Sequence, residues 1–431
     1  MREFWSTAVG GRWTAEEKLD YRTVLDLGTD QIKALVLELG RGEGLVVGVG
    51  RARCPQGWGV DGTAVDIRAM ARSCDRALRQ AEDMTTKVCG RQVVPDLVVV
   101  GLPNCLTIAQ AFAVTHHRSN PDRRIKDKEL RQVVQRAQRL ALQQLTQKTE
   151  PLQGPQEARV ELLEATITDI RVDGHSVTTP VGFRGKDLTV AVFNVVVSSP
   201  HLRAVEVITE DLGLEILTTV SGWQPLAFML DGREGICIDV GGKATDIVLV
   251  RSGKAWSTAS LPVGGSDFTK HLAETFDLSW KDAEGLKLAY SQGATGGPSK
   301  AQVDEAIGRV TKAWLEGVEA ALKRLSVSHP LPYQFNLCGG GSDVSGLVEA
   351  MRSHPWMEVL RFSRHPQVRV VRPQEVSRLL DRTGQLRGRQ DVAPLALAGY
   401  TMAGRAEGDS LDRLLWRVKR PAIFGNTEGR A

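Results

Sequence analysis

Apolar residues cluster at positions 23–26 and 34–39, with Gly28 and Thr29 between them, which is the spacing of two strands joined by a glycine turn. The same arrangement returns in GICIDVGGKATDIVLVR at residues 235–251. There an apolar run ends at Asp239, a Gly241–Gly242 turn and Thr245–Asp246 follow, and a second apolar run closes the unit. Further apolar runs at 46–51 and 96–101 predict two more strands. Between them, Ile67, Met70, Ala71, Cys74, Ala77, Leu78 and Ala81 recur at helical spacing and predict a helix over 66–84. A mixed α/β chain is expected, with one hairpin pattern used twice.

Residues 102–183 break that rhythm. A charged stretch (118–128) leads into a predicted helix (127–147), a polar linker (149–157), a strand-like run (159–172) and a turn at Asp173 and Gly174. A strand at 188–197, a helix at 202–212 and a strand at 214–220 come next. LPVGG at 261–265 opens a helix-rich segment, in which Glu284 and Lys287 stand three apart on one helical face. Residues 300–325 form a helix whose apolar stripe includes Ile307, Val310, Trp314, Val318, Ala321 and Leu322. A third glycine cluster, LCGGGSDVSG, occupies 337–346. The Arg-rich stretch 361–389 reads as surface around a strand at 368–371, and 394–402 as a small-residue helix closing the second half.

With 431 residues, 42% of them apolar and 25% charged, the chain has room for two or three ordinary globular domains. A net charge of +4 is too small to argue for nucleic acid. The basic cluster of Arg118, Arg123, Arg124, Lys126, Lys128 and Arg131 is relieved by Asp122, Asp127 and Glu129, and no aromatics interleave to stack on bases. It reads as a solvated face. Six cysteines without a C-x-x-C spacing read as reduced small hydrophobes, which suits a cytoplasmic chain. Residues 1–20 lack a continuous apolar core and read as a loose leader, and no run is long enough for a membrane-spanning helix.

Chemistry enters at the glycine turns. A turn without a Cβ can aim backbone N–H groups at a phosphate, and a strand-end carboxylate such as Asp26 can hold magnesium through its water shell. No GxxxxGK[ST] loop occurs. In their order, the three glycine stretches resemble the phosphate-one, phosphate-two and adenosine motifs of the actin and heat-shock-chaperone ATPase superfamily. TPVGFRGKDL at 179–188, WGVDGTAVDIRAMARSCDRALRQAE at 58–82 and QPLAFML at 224–230 narrow the resemblance to the FtsA family of bacterial cell-division proteins, over nearly the whole chain from residue 21.

That resemblance implies an actin-like ATPase fold with two lobes of duplicated ribonuclease-H-like subdomains around a nucleotide cleft. Residues 21–101 and 184–220 would form the first lobe, 102–183 an inserted subdomain, and 221–402 the second lobe, with a small helical part at about 264–326. It further implies ATP and Mg2+ as cofactors. Asp26 and Asp239 would coordinate the metal. Gly28, Thr29, Gly241, Gly242 and Thr245 would cradle phosphates, and Lys33 would contact them. Glu284, Lys287, Gly339, Gly340, Gly341 and Ser342 would hold the nucleoside, while Gln224 in WQPLA would orient the attacking water. Lys243 stands where the family has a third glycine, and either pairs with a phosphate or alters the turn. ATP hydrolysis is therefore expected to be slow at most.

The tail completes the expectation. Residues 403–409 have linker composition, and 410–421 place Leu411, Leu414, Leu415 and Val418 at helical spacing beside Trp416 and four cations. This resembles the family's membrane-targeting helix. Its apolar face would enter the anionic lipid of the inner membrane, and each cation would add about 1 kcal/mol. One such helix binds weakly, so attachment would need several copies assembled together. The resemblance implies self-association into filaments, the C-terminal tail of the tubulin-like FtsZ as partner, and a peripheral place on the inner face of the cytoplasmic membrane. The segment 291–300 is short beside the family's, in the lobe expected to grip that tail. The competing expectations are a PilM-like ATPase of type IV pilus assembly and a small-molecule kinase on the same fold.

Overall fold

The structure is a computed structural model that describes residues 20–40, 44–55, 58, 66–149, 160–294, 298–326, 330–376 and 379–406. Nearly all of the leader, residues 407–409 of the expected linker and the whole of the tail helix at 410–421 lie outside the described residues, while 403–406 of that linker are helical.

The first lobe begins with β1 (Asp20–Leu27), β2 (Gln31–Leu39) and β3 (Gly44–Arg53), an antiparallel meander. Helix α1 (Ile67–Cys89) then lays Met70, Cys74, Ala77, Leu78 and Ala81 on the sheet, and β4 (Leu97–Leu102) pairs parallel to β1. Asp66 caps α1, accepting the Ala69 N–H at 2.9 Å, and Gly90 ends it in the left-handed region. β1 is buried on both faces because α1 covers one side and a later helix covers the other, which is why it reads as a nearly continuous apolar run.

A separate sheet follows, built from β5 (Thr107–His117), β6 (Val160–Val172), β7 (His175–Ser176) and β8 (Asp187–Ser198), in the order β5-β8-β6-β7. Helix α2 (Asp127–Thr149) packs against it, joining Val133 and Val134 to a core with Ile167, Val190 and Val192. This arrangement corrects two expected boundaries. The strand at 188–197 was assigned to the first lobe, yet β8 pairs along its whole length with β5 and β6, so the inserted sheet runs from Thr107 to Ser198. Leu102, expected to open the insertion, ends β4 of the first lobe. β5 escaped the periodicity because TIAQAFAVTHH is only half buried and carries few large apolar side chains.

The chain returns through α3 (Ser199–Asp211) and β9 (Glu215–Ser221), the latter parallel to β4, and α4 (Trp223–Phe228) leads out of the lobe. The second lobe repeats the frame with the meander β10 (Gly235–Val240), β11 (Thr245–Arg251) and β12 (Lys254–Leu261). Helices α5 (Gly265–Phe276), α6 (Trp280–Ser291) and α7 (Lys300–Leu325) follow. β13 (Gln334–Cys338), the short helices α8 (Leu347–Ser353) and α9 (Trp356–Val359), and β14 (Gln367–Val370) complete this lobe. The order β12-β11-β10-β13-β14 matches β3-β2-β1-β4-β9 strand for strand, with the same parallel and antiparallel pairings.

The last segment does not close the second lobe as expected. β15 (Leu379–Asp381) adds to β3, and α10 (Val392–Ala406) packs on α4, β1 and β4 of the first lobe. Its apolar face, Val392, Leu395, Ala396, Leu397 and Ala398, belongs to the first core. Small residues let that helix lie close on the sheet, and this composition does not reveal which sheet it covers.

Candidate functional site

The two repeated frames meet at a cleft of about 660 Å³. Each frame sends the acid at the end of its central strand into it. Strand pairing sets what faces each acid: Asp26 lies opposite Lys33, whereas Asp239 lies opposite a second acid, Asp246. Lys33 Nζ stands 3.8 Å from Asp26 Oδ2 and donates to the carbonyl of Gln390 at 2.7 Å. Burial raises the Asp26 carboxyl above its ordinary range, and the Lys33 charge opposes that rise. Burial pushes Asp239 up to about 6, against Lys33 and with help from Asp26. Asp246 is pushed up to about 7, chiefly by burial and further by Asp239, while hydrogen bonds from Ser260 Oγ (2.6 Å) and Asn104 Nδ2 (3.1 Å) hold it down.

The turns at the strand ends touch across the cleft, where the Lys243 N–H donates to Thr29 Oγ1 at 3.3 Å. Gly28, Thr29, Gly241 and Gly242 all line the cavity, as do Lys33 and both strand-end acids. The glycine cluster after β13 forms the adjacent wall. Gly339 has φ +84°, and a Cβ there would stand 2.1 Å from Asp239 Oδ1, so a side chain would displace the acid. On the α6 side, Lys287 Nζ contacts Glu284 Oε2 at 2.8 Å, Thr269 Oγ1 at 2.9 Å and the Gly265 carbonyl at 3.0 Å. The Thr269 hydroxyl also bonds Glu284, so this pair is a braced part of the wall.

Four expected site residues are placed differently. Thr245 is fully buried: its hydroxyl donates to the Val263 carbonyl at 2.7 Å and accepts from Trp314 Nε1 at 2.8 Å, so it pins the turn from beneath. Ser342 is buried as well, donating to the Gly339 carbonyl at 2.6 Å and shaping the glycine wall. Gln224 is 3% exposed, and its Oε1 accepts the Ala255 N–H of β12 at 3.2 Å, turned away from the cavity. Helix α4 presents Pro225 and Leu226 to the cleft instead, beside Gly222. Lys243 reaches the opposite turn by its backbone, and its side chain is not part of the lining.

Other contributors were not anticipated. Asn104 lines the cleft with Asp246. So does Gln390, from a segment that the sequence placed at the edge of ordinary surface. Arg51 Nη2 bonds Asp391 Oδ1 at 2.8 Å, and Asp391 Oδ2 accepts the N–H groups of Arg387 (3.1 Å) and Gly388 (3.0 Å). Arg389 donates to the Ser342 carbonyl at 2.6 Å and pairs with Asp343 at 2.9 Å, tying this strap to both lobes. The available signal was Gly388 and Asp391 immediately before the apolar run VAPLALA, an ordinary helix-entry pattern.

A family model described as cell division protein FtsA matches residues 236–388. The cell division protein FtsA of Streptococcus pneumoniae is 28% identical over 355 residues, covering 76% of this chain and 72% of that protein. The one from Pseudomonas aeruginosa is 25% identical over 351 residues, covering 75% and 78%. The match to Enterococcus faecalis FtsA, 28% identical over 277 residues, covers 62% of this chain and spans 57% of that relative's length. Among solved structures, a PilM–PilN type IV pilus biogenesis complex superposes with a TM-score of 0.58 at 19% identity, covering 88% of this chain and 98% of that one. The fold is that of the actin-like ATPases, and the relatives in sequence are FtsA proteins.

Proposed function

We propose that this protein is an actin-like cell-division protein of the FtsA type, which binds Mg-ATP between its lobes and uses it to control assembly on the membrane. The observation that carries the reading is the pair of acid-ended hairpins whose glycine turns meet across one cleft, Lys243 N–H on Thr29 Oγ1 at 3.3 Å. Glycine turns from both lobes line one cavity with two strand-end carboxylates, an arrangement that suits a polyphosphate carrying a divalent cation.

The fit of the metal can be judged from the donors. Asp26 and Asp239 supply carboxylate oxygens, the ligands that magnesium prefers, and burial raises both carboxyls, a desolvation that a bound cation would offset. Among the described residues no three His, Cys, Asp or Glu side chains converge to enclose an ion. Magnesium would therefore be held by these two acids, by water and by phosphate oxygens. It would neutralise charge between the terminal phosphates. Lys33 would balance the phosphate charge, and Glu284 and Lys287 would border the ribose and base. With Gln224 turned away, turnover is slow and nucleotide acts as a switch.

Membrane attachment falls to residues 410–421, whose Leu411, Leu414, Leu415, Trp416 and Val418 supply the apolar face. The inserted sheet carries contacts between copies in a filament, and the FtsZ C-terminal tail is the partner on the second lobe. A vesicle flotation assay tests the reading: the intact chain with ATP floats with anionic vesicles, and a chain cut before Ser410 stays below. The backbone likeness to the PilM–PilN complex supports a second reading, an adaptor of pilus assembly. Equal flotation of the cut and intact chains would favour it.

A further inference from the structure

At the cleft end of β2 and β3, pairing sets Lys33 beside Arg51 and Gln31 beside Arg53, and alternation along the strands puts these four side chains on one face. The opposite face of β3 lies on α1, where a Cβ on Gly48 or Gly50 would meet the Ala81 or Ala77 carbonyl. On the basic face, Lys33 and Arg51 are already engaged. Lys33 Nζ donates to the Gln390 carbonyl at 2.7 Å and stands 3.8 Å from Asp26 Oδ2. Arg51 Nη2 donates to Asp391 Oδ1 at 2.8 Å and to the Gln385 carbonyl at 3.1 Å. Arg53 lines the cleft, is exposed, and has no hydrogen-bond or ion-pair partner among the described residues. Its backbone is fixed beside the first glycine turn, since the N–H of Cys54 donates to the Asp30 carbonyl at 2.7 Å.

A nucleotide held as above has its nucleoside against α6 and the glycine wall, both in the second lobe, and its phosphates between the two turns. Arg53 stands on the first lobe, one strand spacing (about 4.8 Å) from Gln31 at the end of the first turn. The part of the ligand nearest to it is therefore the free end of the phosphate chain. We propose that Arg53 pairs with the terminal phosphate and makes the cleft select a nucleoside triphosphate over a diphosphate. This rests on the nucleotide reading above. A guanidinium offers two parallel N–H donors to two phosphate oxygens, whereas a diphosphate ends one phosphoryl group short and leaves the arginine in water. Closing on the phosphate breaks no protein contact, because the side chain starts without one. The pair stays partly open to solvent, so its contribution is modest and weakens with salt. Arg53 takes no proton and makes no bond to phosphorus.

The test compares the unchanged chain with Arg53→Gln, which removes the charge, and Arg53→Lys, which keeps the charge without the fork. Lys281→Gln is the control, since Lys281 also lines the cleft without a partner among the described residues, but from α6 at the nucleoside end. Calorimetry measures the affinities for Mg-ATP and Mg-ADP at low and high salt, and thermal midpoints check folding. Arg53→Gln should weaken Mg-ATP binding roughly tenfold while Mg-ADP affinity stays within about twofold, and Arg53→Lys should fall between. The preference of the unchanged chain for ATP should shrink with salt more than that of Arg53→Gln. Equal losses for ATP and ADP would overturn the proposal, as would no loss in either. A triphosphate-specific loss in Lys281→Gln as large as in Arg53→Gln would overturn it too, by showing a diffuse charge effect. An unchanged chain that binds ATP and ADP equally well also overturns it, while nucleotide binding stands. Failure of the unchanged chain to bind either nucleotide refutes the nucleotide reading itself, before any variant is compared.

Discussion

The two lobes share one strand frame yet treat their central acids differently. In the first lobe the residue across the hairpin from Asp26 is Lys33, so the acid faces a cation of its own. In the second lobe the equivalent position across from Asp239 is Asp246, and the hairpin holds two acids pushed up to about 6 and about 7. A single topology thus sets a cation opposite one central acid and a second acid opposite the other. The lobes differ in continuity as well. The second is built from residues 235–371, whereas the first also needs β15, the strap at 387–391 and α10, which return from the far end of the chain.

The strap offers the largest effect. Asp391 has its side chain almost wholly buried and receives Arg51 and two backbone N–H groups. Asp391→Ala leaves those donors unpaired and should cost about 3–5 kcal/mol of stability, read from urea unfolding. A cost no larger than that of an exposed pair such as Arg309–Glu305, about 0.5 kcal/mol or less, would mean that the first lobe does not depend on its late-returning segment.

The charge asymmetry makes the next expectation. Asp239→Asn should weaken magnesium-dependent ATP binding by roughly a hundredfold, because metal-bridged charge is worth several kcal/mol. Asp26→Asn should cost less, since it also frees Lys33 to meet the phosphates. Calorimetry with and without magnesium separates the two, and equal losses would dissolve the distinction between the lobes.

Backbone at the strand ends gives a smaller contrast. Gly339→Ala must adopt φ +84° with its Cβ against Asp239 and should cost about 1–3 kcal/mol. Gly101→Ala, beside Asp26, meets mainly the tip of Leu397, which can rotate, so its cost should fall below that. Thermal unfolding of the two variants ranks them directly.

The last contrast is a pH dependence. Asp239 and Asp246 titrate at 3.8 when unfolded and at about 6 and about 7 when folded, so between those values the folded state binds more protons. Stability of the metal-free protein should therefore fall as pH rises from about 4 to about 7, the opposite of a salt-bridged acid. Asp246→Asn should flatten that slope more than Asp26→Asn does. A midpoint that rises over this range in the unchanged, metal-free chain would contradict the assignment of the two acids as unbalanced.

Much of this was legible beforehand, for a local reason. A hairpin needs apolar runs, an acid and glycines within about 20 residues, so both turns and the acids Asp26 and Asp239 stood out in the sequence. Helical spacing puts Glu284 and Lys287 on one face, and the family resemblance marked that pair as nucleoside contacts. The residues that were misplaced share the opposite property. Gln224 and Thr245 are polar residues beside the right motifs, but packing of α4 on β12 and of Trp314 under the turn decides which way they point.

By itself, then, the sequence determined the duplicated hairpins, the glycine wall and the alternation of strand and helix, because each follows from local periodicity and backbone freedom. The tertiary structure alone decided that β8 joins the inserted sheet, that α10 covers the first lobe, and that the strap at 387–391 ties the two lobes together. It also brought Asn104 to Asp246, residues 142 positions apart. Pairings of that range depend on which apolar faces and which buried polar atoms find one another once the sheets have formed, and no short stretch of chain encodes that choice.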